Sequence, residues 1–333
     1  MTSPLFVPVD AYLVPSLPTV WFGVILFALA MYVALDGMDF GIGMLYATRD
    51  ERDRETLLAA FGPIWDANEV WLVAFGTTLL AAFPAVYSRL LSEQYLLAIL
   101  VVMSLLVRGV APELREQREN AEWHELCDRL FVVGSTVTPL LLGTLVGSWI
   151  FGTAAISLPS LLTGVGVVAL CLTSGAAFVA AKTSGSLADD MVRYGTASTV
   201  AYLGGVVVLL GVVYWLGPSD VRTLLLTAPA AAVVLASVGV GVGGLVAARR
   251  GRHRLWFGTT FVLSFLLVGL VAVLLYPTIY PASGLTIDAA VVSPLALNLT
   301  TVFGLPVLVL VLWYFKFLYG TFAGPVDGEG YTN

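Results

Sequence analysis

The chain has 333 residues, of which 59% are hydrophobic and 11% charged. A soluble domain carries about 25% charged residues, so this balance excludes an ordinary water-soluble globule and predicts an all-α, multi-pass membrane protein. The formal charge of −6 sums charges on two sides of a membrane and says little about partners, but no basic patch points to nucleic acid.

Residues 1–18 hold no Lys or Arg, so the charged start of a signal peptide is missing and the first apolar segment reads as a retained helix. Apolar run lengths predict nine spans, at about 19–46, 58–84, 93–112, 128–151, 158–181, 196–217, 224–248, 256–277 and 300–321. In the second span Pro63 either kinks the helix or marks its start. A start near Thr56 would sink Asp66 about 15 Å along the axis, whereas a start at Pro63 would leave it interfacial. Cys127 reads as part of a charged loop and Cys171 lies in an apolar run. No disulfide is expected between them, and no metal-ligand spacing exists.

Basic residues settle the expected orientation. Arg49, Arg52, Arg54, Arg115, Arg118, Arg129, Lys182, Arg193, Arg249, Arg250, Arg252, Arg254 and Lys316 share one side. Opposite them stand only Arg89 and Arg222, with Arg108 inside span three. The positive-inside rule makes the rich side cytoplasmic, the amino terminus external and the carboxyl terminus cytoplasmic. The stretch 278–298 is then an external loop with Asp288 as its single charge. Spans five to eight carry no charge in their apolar cores and are rich in Gly, Ala and Val, which suits close helix packing.

The charges sit in spans one to three. Asp36 and Asp39, in LDGMDFGIGML, are three residues apart and share a helix face. Gly37, Gly41 and Gly43 beside them let a neighbouring backbone come close. The stretch GPIWDANEVW, residues 62–71, places Asp66, Asn68 and Glu69 between Trp65 and Trp71. A carboxylate turned to lipid costs roughly 2.5–3.5 kcal/mol near the bilayer centre, so this segment should face protein or water. Arg108 lies near the cytoplasmic end of span three, ahead of Glu113. Four acids and one Arg are therefore expected at similar depth on adjacent helices. Three readings stay open for them: a proton-conducting cluster opening to the cytoplasm, a structural ion-pair network, or a cation site built from carboxylate oxygens.

Trp21, Trp149, Trp215 and Trp256 read as interfacial anchors, and Trp65 and Trp71 as packing residues that bracket the acids. His124 and His253 read as members of Arg-rich cytoplasmic loops, and no His falls inside a span. Met31, Met38, Met44 and Met103 read as packing residues, so the chain is expected to ligate no haem. It shows no phosphate loop, nucleophile elbow or zinc motif, and redox chemistry by this chain alone is not expected.

The segments ALDGMDFGIGML, GPIWDANEVWLVAFGTTLLAAFPAVY and MSLLVRGVAPELR closely resemble the first three helices of subunit II of cytochrome bd-type quinol oxidases, over about residues 20–130. The resemblance implies two four-helix bundles plus a peripheral ninth helix. It divides the chain into a first bundle at 1–151 with the acids, an apolar second bundle at 152–277, an external loop at 278–299, and the ninth helix with a cytoplasmic tail at 300–333. It implies a location in the cell membrane and a partner subunit I holding two b-type haems and one d- or b-type haem. That pair oxidises quinol and reduces dioxygen to water with cytoplasmic protons. The resemblance implies no cofactor bound by this chain itself beyond a structural quinone or lipid, and it allows small accessory subunits.

Residue by residue, the resemblance implies a proton path through Asp66, with Glu69, Asp36 and Asp39. Glu69 sits where some family members carry a neutral amide. It implies ion pairing or gating by Arg108 and Glu113, and oxygen access beside Trp71 and Trp65. The alternative is a secondary transporter using the same carboxylates. The charge-free second half favours the oxidase subunit over that alternative.

Overall fold

The computed structural model describes residues 7–153, 155–327 and 330–331. The ends of the first and last expected segments, 1–6 and 332–333, lie outside the described residues. The architecture is helical, with one minute antiparallel hairpin pairing Val326–Asp327 with Gly330–Tyr331 near the carboxyl end. Eight helices among the described residues are long and apolar enough to cross a membrane, and a bent helix pair makes a ninth if counted as one span. The chain is an integral membrane protein.

The bent pair replaces part of the expected second span. A separate helix α2, Glu51–Phe61, follows the first helix α1, Leu17–Tyr46. Its cap is Asp50, whose carboxylate accepts the Asp53 amide at 3.0 Å, with Glu51 and Asp53 favourably placed in its first turn. The chain breaks over Gly62–Ile64, and α3 runs from Trp65 to Ala82. Pro63 thus lies in the break before the span, and Asp66 is the second residue of α3. At Phe83 the path turns by 120° into α4, Pro84–Glu93. A proline has no amide hydrogen to carry the α3 ladder onward, but it sits comfortably as the first residue of a new helix.

The remaining long helices are α5 (Tyr95–Arg115), α6 (Ala121–Phe151), α7 (Leu158–Lys182), α8 (Ser186–Leu216), α10 (Ala228–Arg249), α11 (His253–Leu275) and α13 (Pro294–Thr321). Short helices α9, Ser219–Leu225, and α12, Ile287–Ala290, lie between them. Several boundaries differ from expectation, the largest being that of α8, which begins at Ser186 rather than near 196 and so contains Arg193. Helix α6 begins seven residues before the apolar run because its first turns are polar but helix-compatible, so Cys127 is buried inside it rather than in a loop. His124 and His253 likewise occupy the first turns of α6 and α11. Helix α13 starts at Pro294, inside the expected external loop.

Helix α1 is the axis. It packs against α3, α6, α7 and α11, while α7 packs against α1, α6, α8 and α11. Their crossing is a backbone contact. A Cβ on Gly41 would run into the carbonyl oxygen of Cys171, and one on Gly175 would come within 2.5 Å of the Gly41 carbonyl carbon. Close approach of this kind substitutes for the hydrophobic drive that lipid does not supply. Among the expected anchors, Trp21, Trp149 and Trp256 are buried, and only Trp215 is exposed. Trp21 donates to Thr301 at 2.9 Å and Trp149 to the Ile279 carbonyl at 2.8 Å, so these indoles join elements rather than rest in headgroups.

Gly175→Val should lower the thermal midpoint and yield of the detergent-purified protein, because overpacking there costs roughly 1–3 kcal/mol or more. Gly204→Ala, where nothing lies within 4 Å of the added carbon, should leave both unchanged. Equal behaviour of the two variants would remove the α1–α7 crossing from its proposed structural role.

Candidate functional site

The buried charge cluster is organised by Arg108, on α5. Its side chain is fully buried. One guanidinium nitrogen, Nη1, lies 2.9 Å from Asp36 Oδ1 on α1 and 3.0 Å from Glu69 Oε1 on α3. The guanidinium also sits 4.3 Å above the Phe40 ring centroid, a cation–π placement that adds to a desolvated charge. Gly134 of α6 makes room for it, since a Cβ there would come within 2.8 Å of the Arg108 backbone.

Asp39 lies one turn beyond Asp36 on α1. Its Oδ2 accepts from Asn68 Nδ2 at 2.7 Å, and Asn68 Oδ1 accepts from the Tyr319 hydroxyl at 2.9 Å. A buried hydrogen-bonded chain thus runs from α1 through α3 to α13. Around it, several polar atoms are buried without a hydrogen-bond partner: the Tyr32 hydroxyl, both Asp36 carboxylate oxygens, Asp39 Oδ1, and Arg108 Nε and Nη2. The Asp36 contact is at ion-pair distance but lacks hydrogen-bond alignment.

The glutamate differs from the aspartates. Asp36 and Arg108 have side chains at 0% exposure, whereas Glu69 is 31% exposed. Glu69 therefore bridges the buried cluster and the outer face of α3. Asp66, one turn earlier on α3, is exposed and makes no hydrogen bond or ion pair among the described residues. Glu113 is exposed as well, without such a partner. The expected gathering of four acids around one Arg is thus three acids, Asp36, Asp39 and Glu69, with Asp66 at the margin. The reason is the late start of α3, which leaves Asp66 in the opening turn.

The two tryptophans have different settings. Trp71 is fully buried, edge-on to Phe27 at 5.8 Å and 5.5 Å from Phe315 on α13. Trp65 is half-buried and stacks on Phe61 at 5.7 Å. Sequence reading named Asn68 without giving it a role, although an amide among apolar residues was a usable signal. Tyr319 carried no signal, because only folding brings α13 beside α3. Asp128 was also missed. It accepts from the Tyr46 hydroxyl at 2.7 Å and pairs with Arg54 and Arg115 at 2.9 Å each, tying the expected cytoplasmic ends of α1, α2, α5 and α6 together.

Among the described residues no group of three or more His, Cys, Asp or Glu side chains could hold a metal ion. Of the two histidines, His253 lies at the start of α11, where a ring nitrogen is 2.9 Å from the Ala180 carbonyl oxygen. His124 contacts the Arg118 carbonyl oxygen at 2.7 Å. Both are engaged with backbone at helix ends, a setting that does not fit an axial ligand to haem within the spans.

The family model for cytochrome bd terminal oxidase subunit II matches residues 17–322. Cytochrome bd ubiquinol oxidase subunit 2 of Bacillus subtilis (strain 168) is 34% identical over 189 residues, covering 52% of this chain and 55% of that protein. Cytochrome bd-I ubiquinol oxidase subunit 2 of Escherichia coli (strain K12) is 30% identical over 187 residues, covering 50% of this chain and 49% of that one. The matched stretch spans about half the length of these curated relatives. The structure of bd oxidase from Geobacillus thermodenitrificans includes a chain that superposes with a TM-score of 0.75, over 91% of this chain and 98% of that chain, at 16% identity. That likeness concerns the fold alone. With the family model running from the start of α1 to just past α13, the chain belongs to the cytochrome bd terminal oxidase subunit II family.

Proposed function

We propose that the chain is the haem-free second subunit of a membrane quinol oxidase that reduces dioxygen to water, and that its acids conduct cytoplasmic protons toward haems held by a partner subunit I. Quinol is the substrate of that complex. Family membership supports the reaction class, and the Arg108 cluster carries the proposal for this chain's part in it. One guanidinium balances one carboxylate. Two further carboxylates at the same site need a proton or another cation to be buried at tolerable cost. A site that must hold protons, and whose third acid reaches the surface, is suited to passing them.

The roles divide by position. Asp66 collects protons at the exposed start of α3, and Glu69 carries them inward. Asp36 and Asp39 receive them beside Arg108, while Asn68 and Tyr319 hold the Asp39 carboxylate in place. The haems would supply the redox chemistry, and none of their ligands is proposed on this chain. Oxygen access past Trp65 and Trp71 belongs to the same proposal, and the aromatic walls around Trp71 support an apolar route along α13. Trp71 also packs α13, so its two roles are separable only by oxygen affinity. The transporter alternative has less support, because the family match extends through the charge-free half.

The outer faces of α3 and α5 support a docking place for subunit I. Val70, Val73, Leu96, Met103 and Leu106 are exposed there, as are Asp66 and part of Glu69. Lipid against exposed carboxylates is unfavourable, which a protein partner avoids. The partition into a bundle of α1, α3, α5 and α6, a bundle of α7, α8, α10 and α11, and a peripheral α13 is part of this reading. So is the orientation with the arginine-rich ends of the helices in the cytoplasm. A structural quinone or lipid and small accessory subunits fit the reading too.

In the assembled complex, Asp66→Asn and Glu69→Gln should each lower quinol-oxidase turnover roughly tenfold, equivalent to about 1.4 kcal/mol of barrier, with haem absorbance per complex retained. Oxygen-electrode rates matching the parent for both would take these acids off the path. Arg108→Gln should prevent stable assembly, since breaking a buried pair costs roughly 3–5 kcal/mol. Adding Asp36→Asn to it should recover part of the yield, and failure of that rescue would argue against charge imbalance as the cause.

A further inference from the structure

The four arginines at the expected cytoplasmic ends of α10 and α11 have no part in the proton path. Arg249, Arg250, Arg252 and Arg254 are all exposed, and none forms an ion pair among the described residues. Their setting contrasts with that of Arg49, Arg54 and Arg115, which meet carboxylates at 2.5–2.9 Å. A loop that served only to orient helices would need the charge but no shaped site.

Here the charge lines a cleft. An open hollow of about 630 Å³ lies between the α7–α8 turn and the α10–α11 turn, bordered by Ser184, Gly185, Asp189, Arg252, His253 and Arg254. Two helices begin at its rim. Helix α11 starts at His253 with no side-chain cap and no acid in its first turn, so its opening amides present the positive end of a 23-residue dipole. Helix α8 starts at Ser186 after Gly185, again with no side-chain cap, although Asp189 lies in its first turn. Lys182, at the end of α7, feels the like charge of Arg254. Its ammonium is held by the Phe322 and Gly324 carbonyl oxygens at 2.6 and 3.0 Å, not by an acid. Asp189 is the single carboxylate bordering the cleft, against two arginines.

The surroundings identify the kind of anion. Leu255, which borders the cleft next to Arg254, is 55% exposed in the first turn of α11. Arginines that share a cleft with an exposed leucine at the end of an apolar helix match a ligand with a phosphate head and acyl tails. We propose that this cleft binds the phosphodiester headgroup of an acidic phospholipid, with Arg252 and Arg254 on the phosphate and the tails lying along α10 and α11.

Native mass spectrometry of the intact, detergent-purified complex tests this. Dioleoyl phosphatidylglycerol and dioleoyl phosphatidylcholine are added in equal amounts, and retained lipid is counted. The parent should keep phosphatidylglycerol with roughly tenfold preference, because the guanidinium groups attract an anionic headgroup. The double variant Arg252→Gln/Arg254→Gln should abolish most of that preference, while Arg249 and Arg250 keep the loop's charge bias for insertion. Asp189→Asn, which leaves every arginine in place, should raise the preference. Equal retention of the two lipids by the parent, an unchanged preference in the double variant, or no rise with Asp189→Asn would overturn the proposal. So would displacement of phosphatidylglycerol by inorganic phosphate, which would make the ligand a free anion.

Discussion

A guanidinium without water must be surrounded by its own counter-charges, and that demand shapes the first half of this molecule. Arg108 cannot sit at zero exposure unless α1 and α3 deliver carboxylates to it within about 3 Å. The three helices are thereby locked in rotation as well as in position. Asp36 must face α5, which turns Asp39 toward α3, and Asn68 must then face α1 to meet it. Gly134 completes the arrangement by letting α6 press against the Arg108 backbone. One buried charge thus sets the relative orientation of four helices.

The outermost helix is attached by a related device. Lipid is as apolar as the surface of α13, so burial of its side chains against the rest offers little net drive. Its exposed residues include Phe303, Val309, Trp313 and Phe317. Polar contacts at intervals along its length hold it instead. Asn298 accepts the Leu13 amide and donates to the carbonyl oxygens of Pro8 and Ala11. Thr301 accepts from Trp21, and Tyr319 donates to Asn68. The last of these contacts is shared with the acid cluster, so the helix most exposed to its surroundings is wired directly to the most buried carboxylates. A shift of α13 would alter how Asp39 is held.

Much of this could be read from residue order, for a physical reason. Intramembrane charge is expensive, so Asp36, Asp39, Glu69 and Arg108 stand out against an apolar background, and their depth follows from run lengths. What could not be read depends on features with no one-dimensional trace. The break at Gly62–Ile64 decides whether Asp66 is buried, yet the runs on either side of it merge into one apolar segment. Tyr319 looks like any interfacial tyrosine until α13 packs beside α3. Trp21, Trp149 and Trp256 have the composition of anchors, but their indole nitrogens or rings are needed between elements. Asp128 is one acid among many near the expected cytoplasmic surface, and only the tertiary fold brings Arg54, Arg115 and Tyr46 to it.

The second half shows what the absence of charge permits. Apart from His253 at the start of α11, which meets the Ala180 carbonyl, the side-chain contacts among α7, α8 and α11 include hydroxyl pairs, Thr173 with Ser198 at 2.8 Å and Ser174 with Thr260 at 3.1 Å. Neutral pairs of this kind join helices without requiring a counter-ion or a proton. They can therefore be deep in the apolar region at small cost, and they do not change with protonation. In the acid cluster, by contrast, each carboxylate bears directly on the charge that Arg108 must balance. The two kinds of polarity are thus held apart along the chain, the charged kind on α1, α3 and α5 with Tyr319 of α13, and the neutral kind on α7, α8 and α11, and α1 meets α7 through the Gly41–Gly175 backbone contact.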